Sequence, residues 1–346
     1  MNVCVIGSGG REHAICFKLK QSVKLNNLFC MPGNAGTAMI CQNLDVDILN
    51  FDEIYKTLKK YSIELVVVGP ETPLVTGIVD YLKNKGIKVF GPSMKASQLE
   101  GSKIFMKNFC KKFNIPTAKY FEVKSLTEAK KILSEFNTPI VVKSDGLAAG
   151  KGVTICNSIN EALDDIDKIM SGKFQSSNKV IIEEFLKGEE ASYFVITDGK
   201  NFQQIGTAQD HKRIGENDTG LNTGGMGAYS PSLIINKKIE EKILDKIIQP
   251  TINGMKESGH PYTGILYAGL MIHEDEPKLI EYNIRFGDPE CQALMMRLKT
   301  DLLDLVNFTI DQKLNEIKID WTENPSITVV AASQGYPDKF KKDIEI

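Results

Sequence analysis

The sequence lacks paired cysteines, long hydrophobic runs and an excess of either charge. Its seven cysteines are dispersed without a CxxC pair, which is typical of a reducing compartment and argues against a disulfide scaffold or a zinc site. No apolar stretch approaches the roughly 18 residues that a membrane helix needs, and the N-terminus does not resemble a signal peptide. Lysine and arginine number 42 against 44 acidic residues, so the net charge of −2 attracts neither nucleic acid nor an anionic membrane. We therefore expect a cytoplasmic protein without nucleic-acid or membrane partners.

What the sequence does contain is an ordered succession of different secondary-structure patterns. Residues 1–101 alternate apolar strands with helices, which predicts an α/β domain built on a parallel sheet with both faces covered. Residues 102–190 are typical of a compact α+β unit, and residues 191–322 turn to antiparallel strands. A linker and one strand within residues 323–346 resemble the start of a further, incomplete domain.

A glycine-rich turn, GSGGREH, follows the first predicted strand. A Rossmann fingerprint requires a third glycine where Glu12 stands, and no acidic residue ends the second strand, so dinucleotide binding is disfavoured. Backbone N–H groups at a helix start still make an anion site, and Arg11 adds positive charge. We interpret Gly9, Gly10 and Arg11 as a phosphate site for a small substrate. The alternative is an ordinary tight turn between strand and helix.

A second glycine-rich segment, KSDGLAAGKGV at residues 143–153, joins two strands. Its spacing is one residue short of a Walker A motif, and Gly152 stands where that motif has serine or threonine. A flap between strands with lysines at both ends can fold over a triphosphate, and Lys143 would point inward from its strand. The alternative is a plain hairpin with solvated lysines.

Three further features are weaker on their own. The apolar strand 180–186 ends in acidic residues and could offer backbone groups to an adenine edge, with Glu190 holding a ribose, although acidic strand ends are common. Lys103 near its helix start is either a ligand or a surface lysine. Glu71 follows a strand at its carboxyl end, where open α/β sheets bind ligands.

The strongest local chemistry lies in LIEYNIRFGDPE, residues 279–290. Because side chains alternate along a strand, Glu281, Asn283 and Arg285 share one face. The two oxygen-bearing side chains suit Mg²⁺ bridged to ATP phosphates, and Arg285 could neutralise a transferring phosphoryl group. The alternative is a face that is simply solvated.

Residues 209–231 show neither helical nor strand periodicity and include five glycines. We expect a structureless loop. Such a long loop is usually functional or disordered, and its density of charged residues favours function.

Together these segments resemble the ATP-grasp superfamily and, within it, the phosphoribosylamine–glycine ligase family. The segments that carry the resemblance are VIGSGGREHA, MPGNAGT, VVGPETPLV, VVKSDGLAAGKGV, VIIEEFLKGEEAS, QDHKRIGENDTGLNTGGMGAYSP and LIEYNIRFGDPE. The resemblance implies an ATP-grasp fold after the parallel-sheet domain. It also implies that ATP drives the joining of glycine to 5-phosphoribosylamine through glycyl phosphate, with Mg²⁺ or Mn²⁺, in purine synthesis. Such a mechanism needs no side-chain nucleophile, and the sequence suggests none.

The resemblance further implies roles for particular residues of this chain. The residues implied to contact ATP are Lys103, Lys143, Gly146, Gly150, Lys151, Gly152, Glu184, Phe185, Leu186 and Glu190. The implied metal ligands are Glu281 and Asn283. The implied catalytic residues are Arg285, Asp210 and Asp288. The implied substrate-binding residues are Gly9, Gly10, Arg11, Glu71, Lys212 and Arg213.

The sequence departs from the superfamily pattern at two places. The strand before the Glu-x-Asn strand carries no acid, so a second metal ion lacks an obvious ligand. The family also continues with several more elements beyond the strand at residues 326–333, and we therefore expect a truncated C-terminal domain. We also expect a monomer. Two alternatives stay open: an ATP-grasp ligase for a different acid, and a catalytically silent nucleotide-binding fragment. A nicotinamide dehydrogenase is disfavoured by Glu12.

Overall fold

The computed structural model describes residues 1–147, 152–173, 178–217 and 219–341. These residues form three sheets of five, four and six strands. Gly150 and Lys151, which the sequence places in the glycine-rich flap, lie outside the described residues. In the described part of the chain, no helix has the length and apolar character needed to cross a bilayer.

The first sheet is entirely parallel, as the alternation of strands and helices predicts. Its strands are β1 (Asn2–Gly7), β2 (Asn27–Pro32), β3 (Gln42–Asn43), β4 (Leu65–Val68) and β5 (Lys88–Phe90). Their order is β3-β2-β1-β4-β5. The associated helices are α1 (Gly10–Leu19), α2 (Ala35–Ala38), α3 (Phe51–Lys60), α4 (Glu71–Thr76), α5 (Ile78–Asn84) and α6 (Gln98–Gly101). The central strands are buried on both faces, because Val3 and Val5 enter one hydrophobic core while Cys4 and Ile6 enter another.

One predicted helix of this region is divided in the structure. The sequence pattern predicts a single helix over residues 74–85, but α4 and α5 are separate. Gly77 adopts a left-handed conformation with φ of 98° between them. A residue in this conformation ends a helix, and glycine adopts it without steric cost.

The four-stranded antiparallel sheet has a core of its own. Its strands are β6 (Tyr120–Val123), β7 (Ile140–Ser144), β8 (Val153–Cys156) and β9 (Val180–Glu184), in the order β6-β9-β7-β8. The helices of this region are α7 (Lys103–Lys112), α8 (Leu126–Leu133) and α9 (Ile159–Met170). Helices α8 and α9 cover the sheet, whereas apolar residues of α7 join the core of the larger sheets. The apolar spacing of residues 102–113 predicts a helix capped by Ser102, and in the structure the Ser102 hydroxyl accepts the Phe105 N–H just before α7.

The six-stranded antiparallel sheet includes a hairpin that the sequence did not predict. Its strands are β10 (Glu189–Asp198), β11 (Phe202–Gly215), β12 (Thr219–Ser230), β13 (Thr263–His273), β14 (Glu276–Asn283) and β15 (Ser326–Val329), in the order β14-β13-β10-β11-β12-β15. The expectation of a structureless loop over residues 209–231 is wrong, because β11 and β12 pair there. The pairing register shifts on either side of Arg213, and such bulges together with frequent glycine erase the period of two that marks a strand.

Helices cover both faces of this large sheet. They are α10 (Lys237–Ile243), α11 (Gln249–Glu257), α12 (Glu290–Arg297) and α13 (Leu302–Ile310). The sequence pattern predicts one long helix over residues 237–256, and it is nearly continuous because a π-helical turn, Leu244–Ile248, joins α10 to α11. The two cores on either side of the large sheet also include the two faces of the first sheet. This shared packing holds the carboxyl ends of the first sheet against the end of β14.

Candidate active site

Strand β14 presents the predicted metal ligands on one face. Glu281 lies opposite Gly269 of β13, and Asn283 lies opposite Tyr267. In the described part of the chain, neither side chain of this pair hydrogen-bonds to protein. Burial alone would raise the pKa of Glu281, but nearby positive charges lower it below its ordinary value. Those charges belong to Lys212, Lys143, Lys103 and Arg285. Among the described residues, Glu281 thus offers an ionised carboxylate without a hydrogen-bond partner, surrounded by four cations and near the Asn283 amide oxygen.

Two of these lysines come from the small sheet and its neighbouring helix. Lys143 on β7 is buried, and its Nζ lies 3.0 Å from Glu183 Oε2 on β9. Lys103, in the first turn of α7, donates from Nζ to the Gly146 carbonyl at 2.9 Å. Burial lowers the pKa of Lys103. The glycine-rich segment therefore begins with its backbone attached to one of the two lysines that the sequence assigns to phosphates.

The strand end assigned to adenosine is open on one side. Glu184 ends β9, its carboxylate accepts the Lys119 N–H at 3.0 Å, and it pairs with Lys278 of β14 at 3.4 Å. Phe185 and Leu186 follow outside any helix or strand, and Phe185 is exposed. Backbone groups there are free of a sheet ladder, as an adenine edge requires.

The unpredicted hairpin brings two of the sequence-assigned residues to the metal strand. Lys212 Nζ on β11 lies 2.9 Å from Glu190 Oε2 and 3.7 Å from Asp210 Oδ2. Burial raises the pKa of Asp210, and the Glu190 carboxylate adds to that effect. Arg213 points elsewhere, donating to the Gly220 carbonyl across the hairpin at 3.0 Å. A small cavity at this position is lined by Glu190, Ser192, Asp210, Lys212, Tyr267 and Glu281.

Arg285 is held by two carboxylates rather than left free. Its Nε lies 3.0 Å from Glu71 Oε2, and its Nη2 lies 3.1 Å from Glu100 Oε1. Burial would raise the pKa of Glu71, but the Arg285 charge lowers it. Glu100 also accepts the Ile284 N–H at 2.8 Å. Arg285 is thereby fixed where the first sheet, α6 and the end of β14 meet.

The first glycine-rich turn packs against the segment that follows β14. The Arg11 N–H donates to Asp288 Oδ2 at 3.1 Å. The Arg11 side chain is buried, with Nε on Glu12 Oε1 at 2.6 Å and Nη1 on the Phe286 carbonyl at 3.2 Å. Glu12 in turn accepts the Gly9 N–H at 2.7 Å. The turn and Asp288, separated by more than 270 residues, thus form one hydrogen-bonded unit.

Sequence reasoning missed several charged residues of this region. They are Glu100, Lys107, Glu183 and Glu290. Only the structure shows that the antiparallel pairing of β7 with β9 puts Lys143 and Glu183 on one face of the small sheet. Glu100 and Glu290 likewise carry no local signal, since their partners are distant in sequence.

Comparison with known proteins supports the resemblance noted in the sequence. The family model described as "Phosphoribosylglycinamide synthetase, N domain" matches residues 1–100, and the one described as "Phosphoribosylglycinamide synthetase, ATP-grasp (A) domain" matches residues 101–291. A curated relative from Brucella melitensis named phosphoribosylamine–glycine ligase is 51% identical over 343 residues, covering 99% of this chain and 80% of the relative. A relative of the same name from Haemophilus influenzae is 48% identical, covering 100% and 82%.

Solved structures agree with these relatives. The crystal structure of phosphoribosylamine–glycine ligase from Thermotoga maritima superposes with a TM-score of 0.86 and 33% identity, covering 99% of this chain and 83% of that one. An N5-carboxyaminoimidazole ribonucleotide synthetase in complex with ADP has a TM-score of 0.69 at 16% identity, covering 95% and 81%, and shows the fold alone. On the strength of the two family models and of these relatives, the chain belongs to the phosphoribosylglycinamide synthetase family, which has the ATP-grasp fold.

Proposed function

We propose that the protein joins glycine to 5-phosphoribosylamine at the expense of ATP, giving glycinamide ribonucleotide, ADP and phosphate. The observation that carries this proposal is the ionised Glu281 carboxylate, which lies beside Asn283 among four cations at the junction of the three sheets. In the first step a glycine carboxylate oxygen attacks the γ-phosphorus of ATP, and ADP leaves. In the second step the amine attacks the acyl carbon of glycyl phosphate, phosphate leaves, and the amine releases a proton.

The nucleotide would lie between the small and the large sheet. Lys103 and Lys143 supply positive charge for the phosphates, and the segment from Gly146 to Gly152 would cover them. Gly150 and Lys151 lie outside the described residues, and their assignment to the ATP phosphates rests on the sequence alone. The backbone at residues 184–186 would receive the adenine edge, and Glu190 would bind the ribose hydroxyls. Two observations support this placement. The backbone at residues 185–186 lies outside any helix or strand, and Lys103, Lys143 and Lys212 lie near Glu281.

A divalent cation, Mg²⁺ or Mn²⁺, would bind Glu281 and Asn283. The fit is good, because both side chains offer oxygen ligands without protein partners in the described part of the chain and the carboxylate is ionised. Mg²⁺ commonly binds through one or two protein ligands together with substrate phosphates. When bound, the ion would neutralise charge on the phosphates of ATP.

Catalysis would consist of positioning and charge stabilisation. Arg285 is fixed by Glu71 and Glu100, so its guanidinium can stabilise the transferring phosphoryl group without reorganising. Asp210, Lys212 and Asp288 would meet glycine and the acyl phosphate.

The phosphoribosylamine would bind at the first glycine-rich turn. Gly9 and Gly10 at the start of α1 would receive its phosphate, and Arg11 and Glu71 would line the site. Because the Arg11 side chain is committed to Glu12 and Phe286 and its N–H donates to Asp288, its contribution comes from the charge it adds nearby. Arg213 is also assigned to substrate by its sequence position alone, since its guanidinium donates to the Gly220 carbonyl within the hairpin.

The decisive experiment measures ADP release with purified protein. We expect release only when ATP, glycine and freshly prepared phosphoribosylamine are all present. ATP turnover that is indifferent to both co-substrates rejects the proposal, and turnover with another small carboxylate in place of glycine supports a different ATP-grasp ligase.

We also propose how the chain divides into units, its oligomeric state and where it acts. The chain would divide into units at 1–101, 102–190, 191–322 and 323–346, a division supported by the separate core of the small sheet. It would act as a monomer on small molecules in the cytoplasm, where the seven free cysteines stay reduced.

A further inference from the structure

Glu183 lies between two buried lysines. Its Oε2 is 3.0 Å from Lys143 Nζ and 3.1 Å from Lys107 Nζ. All three side chains are almost wholly buried, with 6% of Lys143, 0% of Lys107 and 3% of Glu183 exposed. Glu183 Oε1 has no hydrogen-bond partner in the described part of the chain. One carboxylate oxygen is therefore shared by two ammonium groups, and the cluster carries a net positive charge.

Lys107 also reaches the strand that carries the predicted metal ligands. Its Nζ donates to Thr117 Oγ1 at 2.8 Å, and Thr117 Oγ1 donates to the Leu279 carbonyl on β14 at 2.7 Å. The Leu279 N–H also donates to the Pro116 carbonyl at 2.8 Å, so two hydrogen bonds join the 116–117 segment to β14. Glu281 lies two residues further along β14. Lys107 thus connects α7, β9 and β14, each of which contributes to the proposed nucleotide site.

The sharing of Glu183 has an electrostatic consequence for Lys143. If Glu183 had Lys143 as its only partner, moving that ammonium toward a phosphate would leave a buried, unpaired carboxylate. An unpaired buried charge is strongly unfavourable. Because Lys107 stays on the same oxygen, Glu183 remains neutralised while Lys143 turns to another anion.

We propose that Lys107 is a positioning residue for the nucleotide site, which neutralises Glu183 so that Lys143 is free to contact a nucleotide phosphate. The proposal rests on the proposed function only in taking Lys143 as a phosphate-binding lysine. Lys107 itself does not touch the nucleotide. Its position one helical turn after Lys103 keeps it behind the site, where it faces Glu183 and Thr117.

The experiment measures the dissociation constant of ATP by calorimetry, without glycine or phosphoribosylamine, in four proteins of the full chain. They are the wild type, Lys107→Met, Glu183→Gln, and the double variant Lys107→Met/Glu183→Gln. Lys111→Met is the matched control, because Lys111 is an exposed lysine on the same helix. Thermal melting of each variant separates loss of fold from loss of binding.

We expect Lys107→Met to weaken ATP binding at least roughly tenfold, because Lys143 becomes the only counter-ion of Glu183. The Michaelis constant for ATP should rise by a similar factor while that for glycine stays within about twofold, a split that general destabilisation does not produce. Lys111→Met should match the wild type. In the Glu183→Gln background, adding Lys107→Met should change ATP affinity less than about threefold, because no carboxylate remains to be neutralised.

Two results would overturn the proposal. One is wild-type ATP affinity in folded Lys107→Met. The other is a loss of more than threefold between Glu183→Gln and the double variant, since Lys107 would then act independently of Glu183. This second comparison stands even if Lys107→Met alone fails to fold. Wild-type protein that binds ATP but does not ligate glycine rejects the proposed function and leaves this test intact.

Discussion

The Arg285 guanidinium donates to the Glu71 carboxylate at 3.0 Å, joining the end of strand β14 to the first turn of helix α4. These residues are 214 positions apart; Glu71 follows a strand of the parallel sheet, and Arg285 follows a strand of the large antiparallel sheet. Both side chains are mostly buried, and the Arg285 charge lowers the pKa of Glu71 despite burial. The pair therefore couples the fold of the parallel-sheet region to the geometry of the proposed phosphoryl-transfer site.

Glu71→Gln should lower the free energy of unfolding by roughly 1–3 kcal/mol at pH 7, because it removes one partner of a charge-assisted hydrogen bond. Urea denaturation measures this, with the exposed Glu257→Gln as control. Since the folded-state pKa of Glu71 lies below its unfolded value, the stabilisation is present above the unfolded pKa and is lost as pH falls through the folded pKa. Wild type and Glu71→Gln should therefore converge in acid; a constant gap down to pH 2 would contradict the assignment.

Glu281→Gln should reduce kcat/KM for ATP by at least about 100-fold and raise the concentration of Mg²⁺ needed for half-maximal rate, because it removes the charged metal ligand. Glu276→Gln, an exposed carboxylate on the same strand, is the control and should stay within about twofold. An unchanged metal dependence in Glu281→Gln would show that the ion binds elsewhere.

ATP affinity should fall on the alkaline side at a pH below the ordinary pKa of lysine. Burial lowers the pKa of Lys103, so its charge is lost earlier as pH rises, and the phosphates lose a counter-ion. The arginine of Lys103→Arg keeps its charge at all accessible pH values, so ATP affinity in this variant should fall less as pH rises. Titration of ATP binding between pH 7 and pH 10 tests this, with Lys111→Arg as control. If ATP affinity falls equally with rising pH in wild type and Lys103→Arg, Lys103 is excluded as the titrating group.

Cys41 should be the first cysteine to react with iodoacetamide at pH 7. The neighbouring thiols of Cys16 and Cys30 lower the pKa of Cys41, and Cys41 is the partly exposed member of the seven. Burial raises the pKa of Cys110 and Cys291, which should stay unmodified in the native state. Peptide mapping by mass spectrometry after brief labelling gives the order, and Cys41→Ser should abolish the fast phase. Earlier labelling at any buried cysteine would contradict it.

Local patterns in the sequence were sufficient for much of the fold and for the metal strand. Alternating apolar strands and helices predicted the parallel sheet, Ser102 predicted the start of α7, and the period of two placed Glu281 and Asn283 on one face. These features depend on neighbours within a few residues, and periodicity reports them directly. The joint motifs likewise sufficed for the family.

The tertiary structure alone decided which distant residues meet. The hairpin of β11 and β12 has a bulged, glycine-rich sequence without period, so only its pairing partners reveal it. Arg285 binds Glu71 and Glu100, which lie more than 180 positions away in the sequence. Lys107 on α7 forms an ion pair with Glu183 on β9. Such contacts are set by how helices and sheets pack around shared cores, and side-chain pattern along one element carries no information about the partner it will meet.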